Sequence, residues 1–236
     1  MSRATDIDHL YTLLETLDDN VGGPRTLDDC TGRMDWPKRG VYIFLNPAER
    51  HGGDGYPRVT RVGTHAVSAG SGTAMWDRLR THRGAMRGSY EGGGNHRGSV
   101  FRERVGEAVI ERDGLGTEYP EWGAGSTADR DRRLAELPLE RRVSEYIRDL
   151  PFLWVAVDDE PGPESDRVFL EANLLALLSN YEREAVDPRR EGWLGHHSRH
   201  RKIRESGLWN IGHVEESYDP DFLSTLEAYD RETPPV

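Results

Sequence analysis

Apolar residues recur along the chain with two different periods, and each period predicts its own kind of element. Residues 7–17 carry apolar side chains at helical spacing, and the same spacing is strongest at 166–181. Weaker helical patterns follow caps or glycines at three further places: 73–83, 99–111 and 141–148. Short apolar runs rich in β-branched and aromatic residues predict strands at 40–45, 57–64 and 152–157.

The order of these elements predicts an α+β fold. Residues 46–56, which include the Gly-rich turn 51–56, connect the first two strands, so we expect the strands to pair as a hairpin. Strand, strand, helix, helix, strand, helix is the order of a small sheet with helices packed on it. We therefore expect a mixed or antiparallel three-stranded sheet flanked by helices, with helical extensions at the N- and C-terminal ends.

Composition narrows the class of protein. A chain of 236 residues can bury a core without staples, and its one cysteine, Cys30, excludes a disulfide framework and a multi-cysteine zinc site. No apolar run approaches the roughly 20 residues that cross a membrane, and residues 1–8 lack the apolar stretch of a signal peptide. We therefore expect a cytoplasmic protein with no membrane partner.

The net charge of the chain argues against a second class of protein. The net charge of −11 argues against a protein that coats nucleic acid, because such proteins carry a basic excess. It does not exclude an enzyme whose basic residues are gathered in one cleft. Arg199, Arg201 and Arg204 lie in a basic segment that would track phosphates, and a mixed-charge surface helix is the alternative interpretation.

Four polar residues stand out against the apolar patterns. Arg78 and His82 are four residues apart and therefore share one face of a predicted helix, which a solvated surface would also explain. Glu171 lies within an apolar helical run, either at the edge of the buried stripe or facing a cation. Tyr42 lies in the middle of the first strand, where a core tyrosine is the simplest interpretation.

The order of these residues resembles a known family. Gly40-Val41-Tyr42 on one strand and Arg61-Val62-Gly63 at the end of the next are similar to the paired tripeptides of the GIY-YIG nuclease superfamily. A helix with Arg78 and His82 and a later helix with Glu171 follow in the order of that family. The resemblance covers about residues 36–181, and it implies a metal-dependent endonuclease with catalytic residues at Tyr42, Arg61, Arg78, His82 and Glu171.

The resemblance also implies a role for each of these side chains. Glu171 would be the protein ligand of one Mg²⁺ or Mn²⁺ ion, which keeps most of its waters. Tyr42 would help to deprotonate the attacking water, Arg78 would clamp the phosphate, and His82 would orient water or contact a phosphate. Arg61 departs from the family, which has tyrosine there, and its charge would favour the ionised form of Tyr42 or of the water.

A wider set of residues is expected to contact the nucleic acid. It contains basic residues near the catalytic helix, the Gly-rich loop about residues 92–98, the basic tail and an asparagine after the Glu171 helix. That asparagine comes earlier than the family places it, and a flexible loop without function is the alternative for 92–98. The expected contacts are Arg80, Arg83, Asn95, His96, Arg97, Asn180, Arg199, Arg201 and Arg204.

These observations predict a domain organisation and a function. We expect an N-terminal helix and connecting segment at 1–35, a nuclease domain at 36–185 with an insertion at about 84–137, and a C-terminal extension at 186–236. The expected activity is phosphodiester hydrolysis in double-stranded DNA, in restriction or host defence. The alternative is a catalytically silent nucleic-acid-binding module on the same fold. The sequence leaves open whether the protein is a homodimer.

Overall fold

The computed structural model describes residues 2–236, and its centre is one antiparallel sheet of three strands. The strands are β1 (Gly40–Arg50), β2 (Pro57–Gly63) and β3 (Phe152–Ala156), in the order β2–β1–β3. The structure therefore confirms the α+β fold with a small antiparallel sheet. Strand β1 runs beyond its predicted end at Leu45, and the pairing register shifts between Asn46 and Arg50, where Pro47 can be accommodated.

Eight α-helices lie within the described residues. In chain order they are α1 (Arg3–Val21), α2 (Met75–Arg83), α3 (Val100–Asp113), α4 (Arg130–Ala135), α5 (Leu137–Arg148), α6 (Asp166–Leu178), α7 (Arg201–Ser206) and α8 (Phe222–Glu232). Helix α2 starts two residues after the predicted start at 73, because the Asp77 side chain accepts a hydrogen bond from the backbone N–H of Ala74 and makes Ala74 the N-cap. Across residues 2–236, no helix combines the length and the apolar character needed to cross a membrane.

The two faces of the sheet pack against different groups of helices. Helices α1, α6 and α8 contact one another and the strands, and α2 and α3 both pack with α5. The aromatic side chains of Tyr42 and Phe44 project towards the second group, where Tyr42 meets His82 of α2 and Phe44 meets Phe101 of α3. Because side chains alternate along a strand, Val41 and Ile43 point to the first group.

The outer edge of β2 is covered by the tail. The backbone N–H of Trp209 donates to the Thr60 carbonyl at 2.8 Å. The Asn210 side chain donates to the Val62 carbonyl at 2.8 Å and accepts from the Val62 N–H at 3.3 Å. An open strand edge exposes unpaired backbone groups, so this short segment completes the sheet where a fourth strand would lie.

Candidate active site

The glycines of the two tripeptides allow close approaches around the strand centre. Gly63 pairs with Tyr42 across β1 and β2, and a Cβ atom at Gly63 would overlap the Tyr42 ring and hydroxyl. A Cβ atom at Gly40 would collide with the Val155 carbonyl oxygen and with the Met75 side chain. Both positions therefore require glycine for steric reasons, and Gly63 allows β2 to approach Tyr42 closely.

Tyr42 belongs to a buried chain of hydrogen bonds. Its hydroxyl lies 3.0 Å from Nε2 of His82, and Nδ1 of His82 lies 2.7 Å from Oγ of Ser99. None of the three side chains is more than 1% exposed. Burial, together with the charges of nearby arginines, holds the pKa of His82 well below its usual range, so its imidazole is neutral. The solvated-face interpretation is therefore wrong for His82.

Arg102 holds the helix that carries His82. Its guanidinium is fully buried and donates to the His82 carbonyl at 2.8 Å and to the Glu140 carboxylate at 2.5 Å. It also donates to the Ser144 hydroxyl at 2.9 Å. A buried charge is tolerated only when it is paired and hydrogen-bonded, and Arg102 satisfies both conditions. Neither Arg102 nor Ser99 is recognisable as a site residue in the sequence, because neither departs visibly from an ordinary helix pattern.

Arg61 is also buried, although it replaces the tyrosine of the family pattern. Its Nη1 donates to the Trp209 carbonyl at 2.9 Å, and its guanidinium lies 4.6 Å from the centre of the Phe101 ring. Its Nε has no hydrogen-bond partner among the described residues. Burial lowers the pKa of Arg61, whereas the negative forms of Tyr42 and Glu171 raise it. The charge of Arg61 therefore acts on both of these side chains.

Glu171 lies on α6 and is partly exposed, and α6 packs against β1 and β2. Burial raises the pKa of its carboxyl group, and the charges of Arg61, His213 and Arg78 together with the backbone of Thr64 oppose that rise. The carboxylate therefore lies close to cationic side chains. His213 was not anticipated from the sequence. It has a positive φ of 61°, and its Nδ1 lies 3.0 Å from the Glu216 carboxylate.

The three arginines of α2 differ in their exposure and in the contacts that their side chains make within the protein. Arg78 is partly exposed and donates to the Gly98 carbonyl at 3.3 Å, and no carboxylate in the described part of the chain pairs with it. Arg80 is exposed and lies 3.4 Å from Asp77. Arg83 donates to the Cys30 carbonyl at 2.6 Å and stacks over Trp76. Arg78 and Arg80 are therefore the two that a ligand could recruit most readily.

The structure turns two of the three loop residues inward. His96 is 1% exposed, its Nδ1 lies 3.0 Å from the Glu140 carboxylate, and its ring stacks on Trp122. Arg97 makes two hydrogen bonds of 2.7 Å to Glu136. These contacts contradict an exposed DNA-binding loop at His96 and Arg97, because both side chains tie the loop to α5 and its N-terminus. Asn95 is partly exposed.

Asn180 is likewise used inside the protein. Its side chain is buried, donates to the Asp187 carbonyl at 3.0 Å, and accepts hydrogen bonds from Arg3 and from the N–H of Val186. The amide oxygen and one hydrogen of the amide nitrogen are thus engaged inside the protein. The position that sequence analysis gave to a family asparagine is therefore a structural joint between α6, the N-terminal helix and the tail.

The basic tail segment is on the surface but mostly paired. Arg199 lies 2.6 Å from Glu111, and Arg201 lies 2.7 Å from Glu205. Arg204 donates to the carbonyls of Ser198 and Arg199. Arg199 and Arg201 are more than half exposed, so phosphates could compete for them, whereas Arg204 supports the local backbone.

The donor set around Glu171 fits one kind of metal ion. In residues 2–236 there is no cluster of three or more His, Cys, Asp or Glu side chains that could hold a metal. A structural zinc site needs such a cluster, whereas Mg²⁺ is commonly held by one or two carboxylates and completed by waters and substrate phosphates. A single, partly exposed carboxylate beside arginines that can take a phosphate fits the second pattern.

Comparison with known proteins gives one match. A family model described as a GIY-YIG domain matches residues 1–236 of the chain. No curated protein and no solved structure matches it. The match thus extends over the N-terminal helix and the tail as well as over the strands and helices that carry the paired tripeptides.

Proposed function

The chain belongs to the GIY-YIG domain family, and we propose that it is a metal-dependent endonuclease that hydrolyses phosphodiester bonds of DNA. One observation carries the proposal. Tyr42 lies against Gly63 and is hydrogen-bonded to a neutral His82. Arg61 is close enough to both Tyr42 and Glu171 for their charges to interact with its own. These are the side-chain types that phosphodiester hydrolysis needs: a proton acceptor for water, cations for the phosphate and a carboxylate for the metal.

In this proposal Glu171 holds one Mg²⁺ or Mn²⁺ ion. When bound, the ion supplies positive charge that stabilises the scissile phosphate and its leaving oxygen. The neighbouring charges of Arg61 and Arg78 favour the ionised carboxylate that a hard cation requires. Glu171 is also partly exposed, so that a hydrated ion and a phosphate can approach it from outside.

Tyr42 accepts the proton of the attacking water. Its hydroxyl is hydrogen-bonded to His82 and lies close to the buried guanidinium of Arg61, whose positive charge offsets negative charge on the oxygen. Tyr42 is 0% exposed, so water reaches its hydroxyl only when DNA binding displaces a side chain around it. Conformational gating of this kind is common in enzymes and excludes water until the substrate is in place.

Arg78 binds the scissile phosphate. Its guanidinium is at the surface of α2, and its one hydrogen bond goes to the Gly98 carbonyl, which a phosphate oxygen would outcompete. Guanidinium groups bind phosphate through two parallel hydrogen bonds, and these strengthen as charge develops on the oxygens. Arg78 therefore serves the transition state more than the ground state.

The proposal extends to the substrate and to the rest of the chain. We infer that double-stranded DNA lies across α2, contacting Arg80 and the exposed arginines Arg199 and Arg201, in restriction or host defence. Residues 36–185 would form the nuclease unit with its insertion at about 84–137. The segments 1–35 and 186–236 would complete the fold around it. A cytoplasmic protein would meet its DNA directly, and a homodimer would cut both strands.

A catalytically silent nucleic-acid-binding module is the second candidate. The observation in its favour is the full burial of Tyr42, which separates the proposed proton acceptor from solvent. Arg61 supports the same candidate, because it stands where the family pattern has a second tyrosine. Such a module would keep the surface arginines of α2 and bind DNA without cutting it.

A plasmid-nicking assay separates the two candidates. Purified full-length protein is incubated with supercoiled plasmid in Mg²⁺, in Mn²⁺ and in EDTA, beside a Glu171→Gln variant prepared identically to exclude contaminating nuclease. Metal-dependent nicking by the wild type alone supports the enzyme. DNA binding without nicking in either metal supports the silent module. Absence of both binding and nicking contradicts the two candidates together.

A further inference from the structure

A cleft of about 270 Å³ lies between α2 and the segment 84–137, and both of its charged side chains are basic. Arg80 of α2 and Arg133 of α4 line it beside Tyr90, Asn95 and three glycines, and no carboxylate side chain does. Four other clefts of the described surface each contain at least two carboxylate side chains. In a protein with a net charge of −11, this α2–α4 cleft is therefore a local basic site.

Arg133 is held in the cleft without an acidic partner. Its guanidinium lies 3.9 Å from the centre of the Tyr90 ring, and its side chain makes no hydrogen bond or ion pair within residues 2–236. Stacking on an aromatic face leaves the N–H groups at the edge of a guanidinium free to bind two phosphate oxygens. Arg80 has one acidic contact, of 3.4 Å, to the exposed Asp77. The cleft thus contains two guanidinium groups whose donors are available to a ligand.

The loop residues that turn inward hold the walls of the cleft. Arg97 makes two hydrogen bonds of 2.7 Å to Glu136, the residue that ends α4. On the other wall the N–H of Ala85 donates to the Gly93 carbonyl at 2.7 Å. The helix that carries Arg133 is therefore fixed before a ligand binds, and a site that is already ordered loses less conformational entropy on binding.

The cleft adjoins the arginine that the proposed function assigns to the scissile phosphate. Arg78 donates to the Gly98 carbonyl at 3.3 Å, and Gly98 lines the cleft. A Cβ atom at Gly98 would meet no atom within 4 Å, so the space beside this backbone is open. The volume is below the roughly 300 Å³ at which pockets for whole small molecules begin. It therefore suits one phosphate group of a longer strand that continues to Arg78.

We propose that the α2–α4 cleft binds a backbone phosphate of DNA beside the scissile phosphate, with Arg133 and Arg80 as its donors. This assignment rests on the proposed DNA substrate. Tyr90 orients Arg133 by stacking. Because neither arginine contacts the reacting phosphate, the cleft contributes to DNA affinity more than to the chemical step. The segment 84–137 thus contacts DNA through Arg133 rather than through His96 and Arg97.

The salt dependence of DNA binding tests the role of Arg133. Binding of full-length protein to a short fluorescent duplex is measured by anisotropy at several salt concentrations, in EDTA so that the duplex stays intact. Arg133→Gln should weaken binding and make the plot of log affinity against log salt shallower by about 0.9, because one phosphate contact is lost. An unchanged slope would overturn the proposal, as would a wild-type protein that does not bind the duplex.

Arg130→Gln is the matched control for charge. Arg130 is exposed on the same helix and does not line the cleft, so its substitution removes the same charge and should leave the slope unchanged. A loss of slope equal to that of Arg133→Gln would show that α4 acts through its general charge, and would overturn the proposal. Thermal melting of each variant confirms that the fold is retained.

Two substitutions of Tyr90 test the stacking. Tyr90→Leu should weaken DNA binding about two- to fivefold, because Arg133 loses the ring on which it is held. Tyr90→Phe keeps the ring and should bind as the wild type does. Equal affinities of the two variants would contradict the role of Tyr90 in the cleft.

Cleavage assays distinguish a failure of this proposal from a failure of the proposed function. In an active enzyme, Arg133→Gln should raise KM and change kcat by much less. Wild-type protein that binds DNA with the expected dependence on Arg133, but does not cut it in Mg²⁺ or Mn²⁺, would contradict the nuclease function and leave the cleft standing. Metal-dependent cleavage together with an unchanged salt slope in Arg133→Gln would support the nuclease and overturn the cleft.

Discussion

The charge of Arg61 on β2 offsets the effect of burial on Glu171 of α6. Burial raises the pKa of the Glu171 carboxyl group, and the charge of Arg61 is the largest influence that lowers it again. The two side chains are far apart in the sequence and come from elements that pack together. Arg61 is itself immobilised by the Trp209 carbonyl. The state of the carboxylate therefore depends on a strand and on the tail, as well as on its own helix.

Substituting Glu171 tests the metal assignment. Glu171→Gln should abolish Mg²⁺-dependent cleavage and leave DNA affinity nearly intact, because the amide keeps the shape of the side chain but lacks the charge that a hard cation needs. Initial nicking rates and binding isotherms measure the two quantities separately. Glu164→Gln, an exposed position just before α6, is the control and should cut normally. Wild-type rates in Glu171→Gln would show that the metal ligand lies elsewhere.

Substituting Tyr42 separates catalysis from core packing. Tyr42→Phe should lower the cleavage rate by about 10²–10⁴-fold, because the ring still fills its place against Gly63 and only the proton acceptor is lost. Loss of the hydrogen bond to His82 should cost about 1–2 kcal/mol of stability. Thermal melting and single-turnover rates measured on the same preparation distinguish the effects.

The matched control for this prediction is Tyr56→Phe. Tyr56 lies at the hairpin end of the sheet, and its hydroxyl donates to Asp18 at 2.8 Å. Its substitution should lower stability by a similar amount without changing the cleavage rate. A Tyr42→Phe variant that is less stable but fully active would identify Tyr42 as a core residue.

Arg78 and Arg80 should respond differently to truncation. Arg78→Ala should lower kcat much more than DNA affinity, because a phosphate clamp acts where charge develops in the transition state. Arg80→Ala removes an exposed charge two residues further along α2 and should weaken DNA binding without a comparable loss of kcat. Single-turnover kinetics at several DNA concentrations give both parameters. Equal losses in binding and turnover for Arg78→Ala would make it a general phosphate contact.

Much of the site's architecture could be predicted from the sequence, because local signals carry it. The hairpin follows from the Gly-rich turn between two apolar runs, and α6 follows from its helical period. The burial of His82 also had a local signal, since Met75, Leu79 and His82 follow the spacing of one helical stripe. That stripe indicates a core position, whereas the pairing of His82 with Arg78 on one face had suggested an exposed one.

The tail can be tested through the salt dependence of DNA binding. Arg199→Ala combined with Arg201→Ala should make the plot of log affinity against log salt shallower by about 0.9 for each arginine that contacts a phosphate. Arg204 is left intact because it holds the carbonyls of Ser198 and Arg199. Filter binding or fluorescence anisotropy at several salt concentrations gives the slope. An unchanged slope would remove the tail from the DNA interface.

Acid should destabilise the fold through His65. Burial lowers the pKa of His65 from 6.5 to about 4, so the unfolded chain takes up a proton first as the pH falls. The free energy of unfolding should decrease through that window by about 3 kcal/mol from this residue. Burial also lowers the pKa of His82, so protonation of His82 in the unfolded chain likewise decreases the free energy of unfolding in acid. His51, whose pKa is raised by Asp187 and Asp8, acts in the opposite direction, its contribution being present at low pH and lost as the pH rises.

Urea unfolding at a series of pH values between about 7 and about 4.5 measures this dependence. His65→Gln keeps a side-chain donor for the Lys38 carbonyl but does not titrate. Its stability should therefore fall less steeply with acid than that of the wild type. Superimposable curves for the two proteins would contradict the contribution of His65.

Other parts of the site could not be predicted, because they depend on contacts between distant segments. The chain gives no local sign that the Trp209 carbonyl binds Arg61 or that His213 lies within range of Glu171. The inward turn of His96 depends on Glu140 and Trp122, which belong to other elements. A polar, Gly-rich loop with a histidine and an arginine has the same sequence whether it faces DNA or is bound to a neighbouring helix.

The hydrogen bonds of Trp209 and Asn210 to the outer edge of β2 determine when that edge can be paired during synthesis of the protein. Val62 and Asn210 are separated by 148 residues, so the outer edge of the sheet stays unpaired on the ribosome until the segment that contains Trp209 and Asn210 has been translated. Until then Arg61 also lacks its anchor. A nascent chain therefore contains Tyr42 long before it contains the segment that holds Arg61 in place beside it.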